Sequence, residues 1–215
     1  MKILVLTGFD QKLLYGPIGE NSWRTYAKRH QYDFVCCRKY PEDLGYPAWQ
    51  KLRVILENMG SHDWIFWTDI DSVVTNADVK LEDLIDPTCM MVVSKDWGPS
   101  HLSPWSSGHM LLHDGEETKL FLREAQKFEE YKNESAWDQS AMQHLCATDR
   151  QWEGRIKILK ARVMNSVPRD AAPAEEPWEP GDFLVHITGW VTQEGKIPLM
   201  GKYEVLSTGK EGQPS

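Results

Sequence analysis

The chain has 215 residues, 41% hydrophobic and 26% charged, with 24 Lys and Arg against 32 Asp and Glu for a formal charge of −8. This is the composition of an ordinary globular chain with enough core to fold as one unit, which excludes a disulfide-stapled mini-protein and a large multidomain chain. The acidic balance gives no general attraction to nucleic acid or to an anionic membrane, so an anionic ligand would need local neutralisation, for which a metal is one candidate.

The run from Lys2 to Thr7 ends at Gly8, too early for a secretory signal, and reads as a strand buried on both faces. From Gly19 to His30 the spacing of Trp23, Tyr26, Ala27 and His30 predicts an amphipathic helix. "YDFVCCR" is a second strand, Trp49 to Met59 a second helix, and "DWIFWTD" a third strand apolar on both faces. Strand and helix alternating over the first 70 residues predict an α/β fold with a mostly parallel central sheet flanked by helices. The C-terminal half is less regular. "CMMVVSKD", "GHMLLHD", "IKILKARVMNS" and "DFLVHITG" read as strands, "EETKLFLREAQKFEEY" as an exposed helix and "QSAMQHLCA" as another. "RDAAPAEEPWEPGD" is a surface loop, and residues 207–215 read as a flexible tail after a single domain over 1–206.

No stretch of about 18 apolar residues occurs, so no membrane span is expected. The four cysteines lack metal-ligand spacing, and the adjacent Cys36 and Cys37 face opposite sides of a strand, so all four read as packing or incidental thiols. Ten tryptophans suit either a large core or platforms on which the apolar face of a sugar ring stacks.

The sharpest feature is "WIFWTDIDSVVTN", an apolar strand that runs directly into Asp69, Ile70 and Asp71. Ligands of open parallel sheets bind at the carboxyl ends of the strands, where this pair emerges. Two carboxylates two residues apart point the same way off extended backbone and can share one divalent ion. The competing reading is a strand-end turn in which Asp caps backbone amides. As a surface-lining carboxylate, Asp71 would contribute no more than about 1 kcal/mol to stability.

This segment resembles the acidic-pair segment of the fungal galactosyltransferase and mannosyltransferase and plant xyloglucan xylosyltransferase family, retaining enzymes of the GT-A fold. "YAKRHQYDF" is similar to that family's YAxxHGYDF stretch, with Gln31 where Gly is usual. "PAWQKLRVI" is similar to its sWxK helix start, without the Pro common shortly after the Lys. "SSGHMLL", "AWDQSAM" and "GDFLVHITG" resemble its small-Gly, acidic-Gln and closing GDxxxHxxG segments, so the matches run collinearly from Tyr26 to Gly189.

The resemblance implies a single-domain GT-A (Rossmann-like) glycosyltransferase that moves a sugar from a nucleoside-diphosphate sugar, UDP ahead of GDP, to a hydroxyl of a glycan or glycoconjugate. It makes Asp69, Ile70 and Asp71 the nucleotide-sugar segment, with Asp69, Asp71 and His186 as ligands of Mn²⁺, Mg²⁺ being possible. Two carboxylates, an imidazole and phosphate oxygens suit Mn²⁺. On residues alone, a satisfied core histidine is the better reading of His186. Gly189 would let backbone approach the diphosphate, and Lys51 would reach a phosphate, although a Lys at a helix start is as often a solvated surface group. Asp138 and Gln139 would hold the donor sugar at its reacting carbon, Asp138 also fitting a helix cap. Thr7, Gly8 and Phe9 would lie under the nucleoside, and Ser107 and Gly108 would expose backbone to the sugar. A Lys a few residues after the metal histidine is missing: Val191 and Thr192 stand there, and the nearest is Lys196, which would have to fold back.

Two other readings compete. A haloacid-dehalogenase-type phosphatase would use Asp69 as nucleophile and Asp71 as acid and base, but expects the pair at the first strand. An inactive paralogue would hold a sugar without turning it over. With Met1 immediately before the first strand, a cytoplasmic enzyme of bacterial or viral type is expected, or a Golgi-lumenal one if this is an excised catalytic domain.

Overall fold

A computed structural model describes residues 1–98, 103–134, 136–188 and 191–208. A six-stranded sheet forms the centre, built from β1 (Ile3–Gly8), β2 (Asp33–Cys37), β3 (Trp64–Thr68), β5 (Met91–Ser94), β6 (Ser106–His113) and β7 (Ile156–Leu159) in the order β2-β1-β3-β6-β5-β7. β1 pairs in parallel with β2 and β3, and β5 with β7, while β6 runs antiparallel between β3 and β5. The expected α/β fold with a mostly parallel sheet is the observed one.

Both faces are covered, which is why β1 and β3 are apolar throughout. Leu4, Leu6, Ile65 and Trp67 turn to one face, against α2 (Pro47–Glu57), α3 (Glu116–Gln126) and α4 (Trp137–Thr148). Ile3, Val5, Trp64 and Phe66 turn to the other, against Trp23 and Tyr26 of α1 (Gly16–His30). Cys36 and Cys37 divide the same way, into different clusters, and all four cysteines are free thiols. Gln31 ends α1 at φ 60°, ψ 31°, the left-handed conformation that a glycine adopts without strain.

Three elements depart from the sequence pattern. The α3 helix is not merely exposed: Thr118, Phe121, Leu122 and Ala125 are buried. "IKILKARVMNS" splits into β7 and a single turn, α5 (Ala161–Met164). No periodicity announces α6 (Gln193–Thr208), whose Met200 and Tyr203 close a third apolar cluster with Phe9, Tyr15, Ile70, Val185 and Ile187. This helix continues past residue 206, and 209–215 of the expected tail lie outside the described residues. Among the described residues no helix is long and apolar enough to cross a membrane.

Candidate active site

After β3 the chain turns through Asp69, Ile70 and Asp71 into β4 (Ser72–Val74), which pairs antiparallel with β8 (Leu184–His186). The turn is locked from inside. Ser72 Oγ donates to the Asp69 carbonyl at 2.6 Å, Trp23 Nε1 donates to Ser72 Oγ, and Ile70 points into the third cluster. Alternation then leaves Asp69 and Asp71 facing the other way. Because Ser72 is the register partner of His186, the two-stranded pairing carries the imidazole to the acidic pair.

Asp69, Asp71 and His186 each offer one ligand atom, all within 4.8 Å of one another. His186 Nδ1 lies 2.9 Å from Asn165 Oδ1, and the Asn165 amide nitrogen donates to the Lys95 carbonyl. That fixes the amide orientation, so Nδ1 donates to Asn165 and Nε2 faces the acidic pair, 3.3 Å from Asp71 Oδ1, where a bound cation would take its lone pair. Gly108 lies against the same groups. A Cβ there would meet His186 Cε1 at 2.8 Å and Asp69 Oδ2 at 3.4 Å, so any larger residue would intrude between the two ligands. Two carboxylates, an oriented imidazole nitrogen and a glycine-cleared space fit a hard divalent cation.

Two lysines neutralise this acidic centre. Lys196, on α6, folds back as the alternative to a Lys just after His186 requires, placing Nζ 2.5 Å from Asp71 Oδ2 over the Tyr15 ring. Burial works against the Asp71 charge, but Lys196 and His186 outweigh it and hold the carboxyl well below its ordinary range. Asp71 is therefore no surface-lining group: its side chain is 15% exposed and that of Lys196 7%.

Lys51 corrects the sequence expectation more sharply. It lies in the second turn of α2, almost fully buried, with Nζ 3.1 Å from Asp69 Oδ1, 3.2 Å from Asp138 Oδ2 and 3.1 Å from the Ser107 carbonyl. It is not a solvated surface group: both carboxylates and the Ser107 carbonyl engage it. Burial opposes its charge, yet Asp138 and Asp69 together hold its pKa above the ordinary value. Burial also pushes the Asp138 carboxyl up, with Lys51 only partly offsetting it. The Lys51–Asp138 contact is an ion pair without hydrogen-bond alignment, since Asp138 Oδ2 has no hydrogen-bond partner.

Other expected residues divide. Asp138 sits in the first turn of α4 but does not cap it, Ala136 being the capping residue. Gln139 braces its surroundings, accepting from the Ser107 N–H at 2.8 Å and donating to Asp96 and Ser103. Ser107 therefore has both backbone groups engaged, by Gln139 and Lys51, and does not expose free backbone as expected. Thr7 and Phe9 turn their side chains into the core, leaving Gly8 as the accessible part of that strand end. Gly189 lies outside the described residues. Asn165, Tyr15 and Asp96 were missed: "MNS", "LYG" and "KDW" carry no motif, and their roles arise only from the partners that folding brings.

A family model described as the galactosyl transferase GMA12/MNN10 family matches residues 2–126. Galactomannan galactosyltransferase 1 of Cyamopsis tetragonoloba is 26% identical over an alignment of 196 positions, gaps included, that covers 74% of this chain and 44% of that protein. The chain thus spans less than half the length of this curated relative. Among solved structures, a glycosyltransferase involved in glycosylation of the major capsid of PBCV-1 is similar with a TM-score of 0.74 and 19% identity, covering 94% of this chain and 100% of that one. The galactosyltransferase LgtC, solved with donor and acceptor sugar analogs, is similar with a TM-score of 0.63 and 13% identity, covering 99% and 98%. At these identities the likeness to the solved structures is one of fold, the GT-A fold.

Proposed function

We propose that the chain, which belongs to the galactosyl transferase GMA12/MNN10 family, is a metal-dependent, retaining glycosyltransferase. It moves a hexose or pentose from a nucleoside diphosphate, UDP ahead of GDP, to a hydroxyl of a glycan or glycoconjugate. One unit, from β1 to the end of α6, carries the activity. The observation that carries this reading is the convergence of Asp69, Asp71 and His186 within 4.8 Å. These three hold the divalent cation, Mn²⁺ ahead of Mg²⁺ because an imidazole joins the carboxylates. When bound, that ion supplies positive charge to the diphosphate leaving group.

The remaining work falls to the chain's own residues. Asn165 holds the His186 ring in the ligating tautomer. Lys51 keeps the Asp69 and Asp138 carboxylates together without mutual repulsion. Asp138, almost fully buried, holds Lys51 behind the donor-sugar end of the site, and Gln139 fixes the Ser107 segment beside it. Lys196 offers a second positive charge next to Asp71. Retention follows if the departing diphosphate takes the acceptor proton on the same face, so that no side chain need act as nucleophile. The placement of Lys196 beside Asp71 supports the active reading over an inactive sugar binder.

The test is a thermal-shift panel of UDP, GDP, ADP and CDP with and without Mn²⁺. A nucleotide at 100 times its Kd stabilises by about 2.7 kcal/mol, roughly 6 °C for a chain of this length. A Mn²⁺-dependent shift with one nucleotide is expected, and Asp71→Asn removes it. That variant also costs about 3 kcal/mol, because it leaves the nearly buried Lys196 without its counter-charge. Absence of any nucleotide shift in folded wild-type protein overturns the reading.

A further inference from the structure

Tyr46 and Trp137 form a stacked pair, ring centroids 4.6 Å apart and planes 16° apart. Each stands at the entry of a helix whose next turns supply the buried ion pair. Tyr46 caps α2, which carries Lys51, and Trp137 immediately precedes Asp138 at the start of α4. The 3.2 Å contact between Lys51 and Asp138 therefore fixes the two rings relative to the donor-sugar end of the site.

This pair is not part of the core. Tyr46 is 55% exposed, and its stacking on Trp137 leaves the outer ring face to solvent. The backbone beneath is unusual: Ala136 and Trp137 are consecutive non-glycine residues at positive φ, 65° and 32°. Strain of this kind persists where the surrounding structure requires a side chain at one place, and it gathers at binding sites. Two further apolar side chains lie on the same rim, Leu14 at 65% and Leu44 at 39% exposure, on loops tied together by the Lys12–Glu42 ion pair. Glu42 is paired with Lys12, Asp43 is exposed, and the Lys132 stem lies against Gly45, so the rim carries little net charge, which suits a neutral glycan better than phosphate or anionic lipid.

We propose that the Tyr46–Trp137 stack is the acceptor subsite, a platform on which the apolar face of a pyranose ring of a neutral oligosaccharide lies while its hydroxyl is presented to the donor. This deepens, and rests on, the reading of the chain as a sugar transferase. Aromatic faces suit such a ligand because they cover its C–H surface and leave its hydroxyls solvated. Tyr46 is the exposed member and carries the contact, whereas Trp137 sets its plane.

The experiment compares wild type, Tyr46→Ala and Tyr46→Phe on an array of immobilised neutral oligosaccharides that includes mannohexaose and cellohexaose, each variant first checked for an unchanged melting transition. Capture of at least one oligosaccharide by wild type is expected, weakened tenfold or more in Tyr46→Ala and kept within twofold by Tyr46→Phe, which retains the ring. Equal capture by Tyr46→Ala overturns the proposal, as does capture of none of the oligosaccharides by wild type or preferential binding to vesicles containing phosphatidylserine. The UDP–Mn²⁺ thermal shift of wild type, read in parallel, tests the transferase reading separately. A normal shift with failed glycan capture removes the platform and leaves the transferase standing.

Discussion

Replacing Lys51 by Met keeps the length and apolar stem of the side chain and removes only the ammonium, which makes it a clean probe of the buried charge cluster. The Lys51 side chain is 4% exposed and that of Asp138 3%, so water cannot take over the lost contact. Deleting one partner of a buried pair costs about 3–5 kcal/mol, chiefly because the other charge is left uncompensated. With an unfolding entropy of about 2.1 cal/mol/K per residue, that corresponds to a melting temperature lower by roughly 7–11 °C. The Ser107 carbonyl loses its donor as well, which places the effect toward the upper end.

The deficit also carries a pH signature. Burial already holds the Asp138 carboxyl above its ordinary range, and loss of Lys51 pushes it further up. A carboxyl whose folded-state pKa exceeds its unfolded one is penalised when ionised, so the penalty is full at neutral pH and fades as pH falls toward the unfolded value of about 4. Thermal unfolding of Lys51→Met should therefore approach wild type at pH 5 relative to pH 7.5. Adding Asp138→Asn should recover about 2 kcal/mol, since the charge in need of compensation is gone. A melting temperature within 2 °C of wild type at pH 7.5, or no recovery on adding Asp138→Asn, would refute the view that Lys51 is an internal counter-ion.

Two further outcomes follow from the same geometry. Asn165→Leu fills similar volume but removes the acceptor for His186 Nδ1–H, so Mn²⁺ affinity measured calorimetrically with UDP present should fall about 10- to 100-fold. An unchanged affinity would separate the tautomer from metal binding. Burial pushes the Cys36 thiol up to about 12 and the Cys146 thiol up to about 11. At pH 8 their thiolate fractions are about 10⁻⁴ and 10⁻³, against roughly a quarter for an ordinary thiol. Iodoacetamide labelling followed by mass spectrometry should find both over 100 times slower than free cysteine, rising about tenfold per pH unit. Labelling of either at the free-thiol rate contradicts their burial.

What was legible in the sequence is what short-range pattern encodes. The strand from Ile3, the stripe of Trp23, Tyr26 and Ala27, and the apolar run into Asp69 and Asp71 each state their burial within a few residues. The left-handed end of α1 was visible as Gln31 standing where related sequences carry Gly. His186 was reachable only through the motif that contains it. Its approach to Asp71 depends on the pairing of β4 with β8, whose register no local signal specifies.

Lys51 and Lys196 show most plainly what tertiary structure alone decides. Each reads in isolation as a solvated surface lysine, yet both are almost fully buried, because carboxylates from other segments meet them there. α6 has little helical amphipathicity to announce it, with Pro198 inside and one face shared between a core cluster and Lys196. A side chain's solvation and charge partners are properties of the space around it. That space is assembled from segments far apart in the chain, so sequence could supply the acidic pair, while only the fold could supply the cations that allow it to be buried.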